Sequence, residues 1–381
     1  MRKCCLILVL LLIFPLLPQK IAAVELDISG KSALLMDVAT GTILYEKNAH
    51  EKLAPASVTK VMTLLLIMEA IDSGKITWED TVTASEAAAS KGGSQVYLKV
   101  GETMSVSDMV KSIAVSSAND CACAMAEFIA GSETAFVELM NQRAEELGMA
   151  DTHFVNCTGL DDGENAAQHR TCAYDIALMS RELMKHHPDI KQFTTIWMDT
   201  IRNGTFGLSN TNKLIRFYPG ATGLKTGFTS GAGYCLSATA EKDGMELIAV
   251  VMGCETSNDR TAACKTMLDY GFANFALVSP QPETATVPVK LGHSSQIAAI
   301  PEAEAQLLVD KAKKDGITTE TILEESVTAP VNQGQRIGTM TVKSGDQILA
   351  EVPLVAADSV PRLTWWDITE KVLRQVAMAK A

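Results

Sequence analysis

The most constraining stretch of the chain runs from Pro55 to Met68: Pro-Ala-Ser-Val-Thr-Lys-Val-Met-Thr-Leu-Leu-Leu-Ile-Met. A helix this apolar on every side is stable only when buried, so the fold has to be built around it. Pro55 suits the first turn, where its missing N–H costs nothing. Ser57 and Lys60, three residues apart, fall on one face of such a helix, a turn from each other. Burial disfavours a charged ammonium and lowers the lysine pKa towards that of a usable base. A serine hydroxyl is a poor nucleophile until such a base stands beside it. An S-x-x-K spacing also arises by chance, often with an exposed lysine, so the catalytic reading needs further groups.

At 381 residues the chain is long enough for two domains and a large core. Its 47% apolar and 20% charged content describes an ordinary globular protein. The formal net charge of −12 speaks against nucleic acid as a partner. At the N-terminus, Arg2-Lys3 precede an apolar stretch from Cys4 to Pro18, with Ala22-Ala23 beyond it. This is the layout of a signal peptide over 1–23, with a mature chain beginning near Val24. The stretch is short and interrupted by Pro15 and Pro18, which disfavours a membrane span; an uncleaved anchor is the alternative. Seven cysteines follow the signal: Cys121, Cys123, Cys157, Cys172, Cys235, Cys254 and Cys264. An odd, scattered set among apolar neighbours predicts buried free thiols rather than a disulfide framework. No paired histidine spacing accompanies Cys121 and Cys123, so no metal site is expected, and no cofactor-binding glycine loop is present.

In chain order, Ala33–Met36 and Thr42–Tyr45 read as a hairpin about Ala39-Thr40-Gly41. The Ser57 helix should end near Gly74, and a largely helical region runs to about His187. Ser105 or Ser107 and Ser132 are placed to cap helices there. Strand character returns after Lys213, in Gly220–Phe228, Gly233–Ala240 and Leu247–Gly253. Asn258–Tyr270 is again helical, with Gly271 expected to end it. Strands, then helices, then strands and a helix predict an antiparallel sheet with helices packed on it, an α+β fold. Pro280-Gln281-Pro282 looks like a linker. Alternating segments beyond it predict a small β-rich domain over 277–357, after a first domain over 24–276. The tail, 358–381, is amphipathic: Trp365, Trp366, Ile368, Val372, Leu373, Val376 and Ala377 share one half of a helix. That pattern suits a helix lying in a membrane interface; docking on the β-rich domain is the other reading.

Two further short motifs join Ser57 and Lys60. Ser117-Ala118-Asn119 falls between helical stretches, where a turn is expected to expose both polar side chains. Lys225-Thr226-Gly227 opens a strand pair, and Gly227 is expected to let a substrate backbone approach closely. In this order and at these separations, the three motifs match the set found in penicillin-binding proteins and class A β-lactamases. The sequence resembles the D-alanyl-D-alanine carboxypeptidases, the low-molecular-mass penicillin-binding proteins of peptidase family S11. Gly93–Leu98, Gly159-Leu160-Asp161, Asn212-Lys213-Leu214, Tyr218-Pro219-Gly220 and the run from Gly223 to Gly233 extend the resemblance. It covers nearly the entire chain.

The resemblance implies a penicillin-binding/β-lactamase-like first domain with Ser57 as nucleophile and Lys60 as its base. Ser117 and Asn119 would complete the proton relay and hold the substrate amide. Lys225 and Thr226 would meet the substrate carboxylate. The backbone N–H groups of Ser57 and Phe228 would form an oxyanion hole, worth about 3 kcal/mol per donor. Arg260 occupies the position of a family arginine for the terminal carboxylate, although an exposed arginine at a helix start is equally ordinary. His169 also matches a family position and is read as structural. The implied partners are peptidoglycan stem peptides ending in D-Ala-D-Ala, β-lactam antibiotics as covalent inhibitors, and a membrane surface for the tail. The implied location is the outer face of the cytoplasmic membrane or the cell wall, as a peripheral protein. Ala118 and Phe228 depart from residues common among relatives. A β-lactamase would need a glutamate-held water; Glu164-Asn165 lies in the right region but lacks the surrounding pattern. A silent peptidoglycan- or penicillin-binding protein is the second alternative, and endopeptidase action on cross-links is a third.

Overall fold

The computed structural model describes residues 26–161, 165–282, 285–303 and 305–378. The signal-peptide reading and Glu164 lie outside these residues. In chain order the principal elements of the first region are β1 (Ser32–Asp37), β2 (Ile43–Lys47), α1 (Lys60–Asp72), α2 (Val106–Ser116), α3 (Asn119–Ala130), α4 (Glu133–Glu146), α5 (Ala173–His186), β3 (Ala221–Thr229), β4 (Gly233–Lys242), β5 (Met245–Cys254) and α6 (Ser257–Asn274).

The five strands form one antiparallel sheet in the order β2-β1-β5-β4-β3, so β3 is an edge. Side chains alternate across a strand, and the two faces of this sheet bury different cores. Leu34, Met36, Ile248, Val250 and Met252 pack into the larger core with α1, α2, α3 and α5. Ala33, Leu35, Leu247, Ala249 and Val251 face α6 through Met267 and Leu268. α1 is the centre of the larger core: Val61, Met62, Leu64, Leu65, Ile67 and Met68 have no solvent exposure. Its all-round apolarity is thereby explained, since helices and sheet enclose it.

Caps fall largely where the sequence puts them. Ser105 Oγ accepts from Asp108 N at 3.1 Å, and Ser132 Oγ from Ala135 N at 3.1 Å. Two expectations need correcting. α6 runs through Gly271 to Asn274, because this glycine serves packing: a β-carbon there would collide with Leu247 of the sheet beneath. Strand structure also appears before Lys213, as a hairpin of Met198–Ile201 with Phe206–Ser209.

The chain then forms a second, β-rich unit. Phe275–Val278 pairs with Leu307–Asp310. A six-stranded sheet follows in the order 317–323, 336–344, 347–356, 296–301, 285–290, 327–328. Val287, Ile337, Met340, Val342 and Leu354 give it a core of its own. The architecture is therefore α+β: a helix-covered antiparallel sheet, a β-rich unit and a terminal helix, α7 (Trp365–Met378). Thr364 and Asp367 cap α7 reciprocally, with Thr364 N donating to Asp367 Oδ2 at 2.7 Å and Asp367 N to Thr364 Oγ1 at 3.3 Å. Trp365 and Trp366 are each 77% exposed, as are Val372 and Leu373 at 53% and 63%. The side chains of Lys371, Arg374, Gln375, Val376 and Ala377 lie outside those described. Among the described residues, no helix is long and apolar enough to cross a membrane.

Candidate active site

The Ser57 segment departs from a simple helix start. Ala56–Thr59 form a 3₁₀ turn, and α1 begins only at Lys60. Ala56 holds a left-handed φ of 49°, an unfavourable conformation for a residue with a β-carbon. Tertiary contacts hold it there. Thr59 Oγ1 donates to the Ala56 carbonyl at 2.8 Å and lies 2.8 Å from His169 Nε2. Val155 N donates to His169 Nδ1 at 3.0 Å, so the ring is neutral with its proton on Nε2, directed at Thr59. Burial pushes the His169 pKa down to about 4, helped by nearby His153, Arg170 and Lys60. The structural reading of this histidine therefore has a specific content: it braces the turn that carries Ser57.

Lys60 has no solvent exposure. Its Nζ stands 3.0 Å from Ser57 Oγ and 2.8 Å from the Thr158 carbonyl. Desolvation lowers its pKa to about 7, against a smaller opposing pull from Cys157 and Asp120. A large share of the amine is therefore neutral near neutral pH, with a lone pair available to the Ser57 hydroxyl.

Ser117 and Asn119 are buried, contrary to the expectation of an exposed turn. Ser117 ends α2 with a left-handed φ of 63°. The loop from Lys91 to Lys99 covers the turn, because Asn119 N donates to the Ser94 carbonyl at 2.7 Å and Asn119 Nδ2 to the Gly92 carbonyl at 2.7 Å. Asp120 secures the same loop: its carboxylate accepts from Val96 N at 3.0 Å and from Leu98 N at 3.0 Å. Ser117 Oγ and Asn119 Oδ1 are buried and have no hydrogen-bond partner among the described residues. Sequence reasoning missed Asp120. The available signal was a charged residue immediately before the apolar run Cys121–Ala126, since a buried carboxylate requires partners.

β3 forms the opposite wall. Lys225 is buried, with Nζ donating to the Thr226 carbonyl at 2.9 Å. Burial, then the positive charges of Lys60 and Arg260, drive its pKa well below the usual lysine value. The Thr226 and Thr211 hydroxyls lie 2.6 Å apart, and Thr211 N donates to the Val115 carbonyl at 3.3 Å. Thr211, which drew no attention in the sequence, thus links β3 to the end of α2 that carries Ser117. Gly227 packs against the Ser57 turn itself. A β-carbon there would lie 2.7 Å from the Pro55 carbonyl and 3.1 Å from Ser57 N. Phe228 follows with its ring half-exposed and stacked on Tyr234 at 4.2 Å. Arg260 is buried behind the strand rather than exposed at its helix start. Its Nη1 donates to the Gly227 carbonyl at 2.9 Å, and its Nε has no hydrogen-bond partner among the described residues.

Residues 19–256 match the family model for D-alanyl-D-alanine carboxypeptidase. The chain belongs to that family. Residues 272–362 match the C-terminal domain of penicillin-binding protein 5. The D-alanyl-D-alanine carboxypeptidase DacF of Bacillus subtilis is 44% identical over 345 residues, covering 89% of this chain and 87% of the relative. Penicillin-binding protein 5 from Haemophilus influenzae superposes with a TM-score of 0.75 at 29% identity, covering 89% of this chain and 100% of that structure. Penicillin-binding protein D2 from Listeria monocytogenes, solved in an ampicillin-bound form, gives 0.60 at 32% identity. That match covers 65% of this chain and 99% of the other. The carboxypeptidase family and its penicillin-binding structural relatives therefore account for both β-containing regions of the molecule.

Proposed function

We propose that the protein is a serine-type D-Ala-D-Ala carboxypeptidase that removes the terminal D-alanine from peptidoglycan stem peptides through an acyl-enzyme on Ser57. The observation that carries this reading is the 3.0 Å contact of a fully buried Lys60 amine with Ser57 Oγ, at a lysine pKa of about 7. Neutral Lys60 takes the hydroxyl proton as Ser57 Oγ attacks the carbonyl carbon of the penultimate D-alanine. The N–H groups of Ser57 and Phe228 stabilise the developing oxyanion. The C–N bond breaks, and the departing D-alanine amine takes up the proton, relayed by Lys60 and Ser117. Water then attacks the ester with the same groups in reverse, which releases the shortened peptide and free Ser57.

Asn119 holds the substrate amide. Lys225 and Thr226 receive the carboxylate side of the substrate. Their support is electrostatic: the charges of Lys60 and Arg260 disfavour a charge on Lys225, so an anion beside it is welcome. Arg260 reaches this site through the Gly227 carbonyl, which makes it a positioning residue for β3. A β-lactam presents a carboxylate and a strained amide to the same groups and acylates Ser57. The protein is exported, acts at the cell wall, and attaches peripherally to the membrane through the exposed tryptophans of α7.

Labelled penicillin tests the nucleophile. The label should map to the Ser57 peptide and persist there; label on another residue, or its rapid loss, would reject the assignment. Release of D-alanine from a peptide ending in D-Ala-D-Ala should vanish in Ser57→Ala, and turnover surviving that change would exclude this mechanism.

A further inference from the structure

Away from the Ser57 site, three side chains of metal-ligating type converge from distant parts of the sequence. His50 follows β2, Asp151 lies after α4, and Cys172 caps the start of α5. His50 Nδ1 is 3.1 Å from Asp151 Oδ2, and Cys172 Sγ is 3.9 Å from the same oxygen. The three ligating atoms all lie within 4.8 Å of one another. A tetrahedral zinc ion with bonds of about 2.0–2.1 Å to nitrogen and oxygen and about 2.3 Å to sulfur has ligand-to-ligand edges of roughly 3.3–3.6 Å. Small side-chain adjustments bring the observed separations to those values.

We propose that His50, Asp151 and Cys172 form a zinc site, with the fourth position open to water. The ligand chemistry selects the metal, because imidazole, carboxylate and thiolate together suit zinc better than the hard calcium or magnesium ions. The surroundings resemble those that orient metal ligands. The His50 ring packs on Tyr174, with centroids 4.8 Å apart, and Nδ1 faces Asp151. Asp175 N donates to Cys172 Sγ at 3.4 Å, the kind of contact that steadies a bound thiolate. The Asp175 carboxylate accepts from Asp151 N at 2.9 Å and from Thr152 Oγ1 at 2.7 Å, which fixes the loop carrying Asp151. Lys52 Nζ lies 3.3 Å from the other Asp151 oxygen, Oδ1, and leaves Oδ2 to the ion. The geometry is also open on one side, since the His50 side chain is 62% exposed and that of Asp151 25%.

Binding replaces the Cys172 thiol proton, which passes to solvent, and uses His50 in its neutral form. The ion adds a further link among three segments already joined by backbone pairs, such as Tyr174 N donating to the Ala49 carbonyl at 3.0 Å and His153 N to the Arg170 carbonyl at 2.8 Å. One of them leads directly to the nucleophile turn: Leu53 and Thr171 pair at 2.8 and 3.0 Å, two residues before Pro55 and one before Cys172. Zinc is therefore placed to stiffen the approach to Ser57 without touching it.

The test is a metal titration of the full chain after chelator treatment. Cobalt(II) should bind with one equivalent at this site, giving a thiolate-to-cobalt charge-transfer band that zinc abolishes by displacement. Cys172→Ser should remove the band. His50→Ala, at an exposed side chain, should weaken zinc binding at least tenfold and cancel the rise in Tm that zinc produces. This second variant keeps the test decisive if Cys172→Ser folds poorly. Absence of the charge-transfer band would overturn the proposal. So would zinc binding and a Tm shift that are unchanged in His50→Ala, which would leave an ordinary His50–Asp151–Lys52 ion pair beside a capping thiol.

Discussion

The backbone of Gly159 packs against the Ala56 carbonyl so closely that a β-carbon at Gly159 would overlap it, and a φ of +82° adds a second demand for glycine. The contact seats the Thr158–Gly159 loop under the Ser57 turn, where the Thr158 carbonyl reaches Lys60. Gly159→Ala should therefore cost roughly 2–4 kcal/mol of stability from strain and overlap together. Penicillin acylation should slow more than tenfold as Ser57 shifts from Lys60. Denaturant unfolding and acylation kinetics on one preparation measure both, and wild-type values in each would show that the loop does not set the turn.

Lys60 must be neutral to accept the Ser57 proton, and its pKa is about 7. The acylation rate should accordingly rise with pH through about 7 and level off above it. One pH unit below the midpoint, about a tenth of the lysine is neutral, so the rate should be about tenfold below its plateau. A stopped-flow profile from pH 5 to 9 reads this directly. A midpoint near 10, the ordinary lysine value, would remove Lys60 as the base.

His169 carries a stability consequence of definite sign. Its pKa is depressed from 6.5 to about 4 in the folded chain. As pH falls below about 6.5 the unfolded chain takes up a proton that the folded one refuses, so stability falls until about pH 4 and then levels off. The full loss from this residue is about 3 kcal/mol. Urea unfolding at pH 7 and 4.5 should show the greater part of it, and His169→Gln should show a correspondingly smaller decline. Equal declines in the two proteins would mean that this ring does not titrate as described.

The exposed apolar face of α7, beginning with Trp365 and Trp366, should hold the protein on lipid vesicles. Deleting residues 363–381 should release it while leaving D-alanine release intact, since the helix lies outside the peptidase fold. Charge contributes little, as Lys371, Arg374 and Lys380 are offset by Asp367 and Glu370. Added salt should thus weaken vesicle binding less than the paired substitution of Trp365 and Trp366 by serine. Retention unchanged by the deletion would put the attachment elsewhere.

Local pattern carried much of this molecule. The apolar run behind Ser57 specified a buried helix; short runs of strand character, the last two joined by turn residues, marked the three long strands; Ser105 and Ser132 announced helix starts. Each is a short-range preference expressed within a few residues, so it is legible in sequence. The pairing of Ser57 with Lys60 belongs to the same class, because helical spacing brings the two together. The departures arose where distant segments meet. Gly271 reads as a helix stop until the sheet presses against it, and the spacing around Gly227 does not announce that it packs on the Ser57 turn. Ser117 and Asn119 look like an exposed turn until the Lys91–Lys99 loop covers them. No spacing predicts that Gly159 would lock Ala56, that Thr211 would meet Thr226, or that His50, Asp151 and Cys172 would share one corner. Sequence by itself determined most of the helices, strands and core segments and marked out the Ser57, Ser117 and Lys225 motifs. Tertiary structure alone decided how those residues are buried, because desolvation and strain depend on what packs against a group and not on its neighbours along the chain.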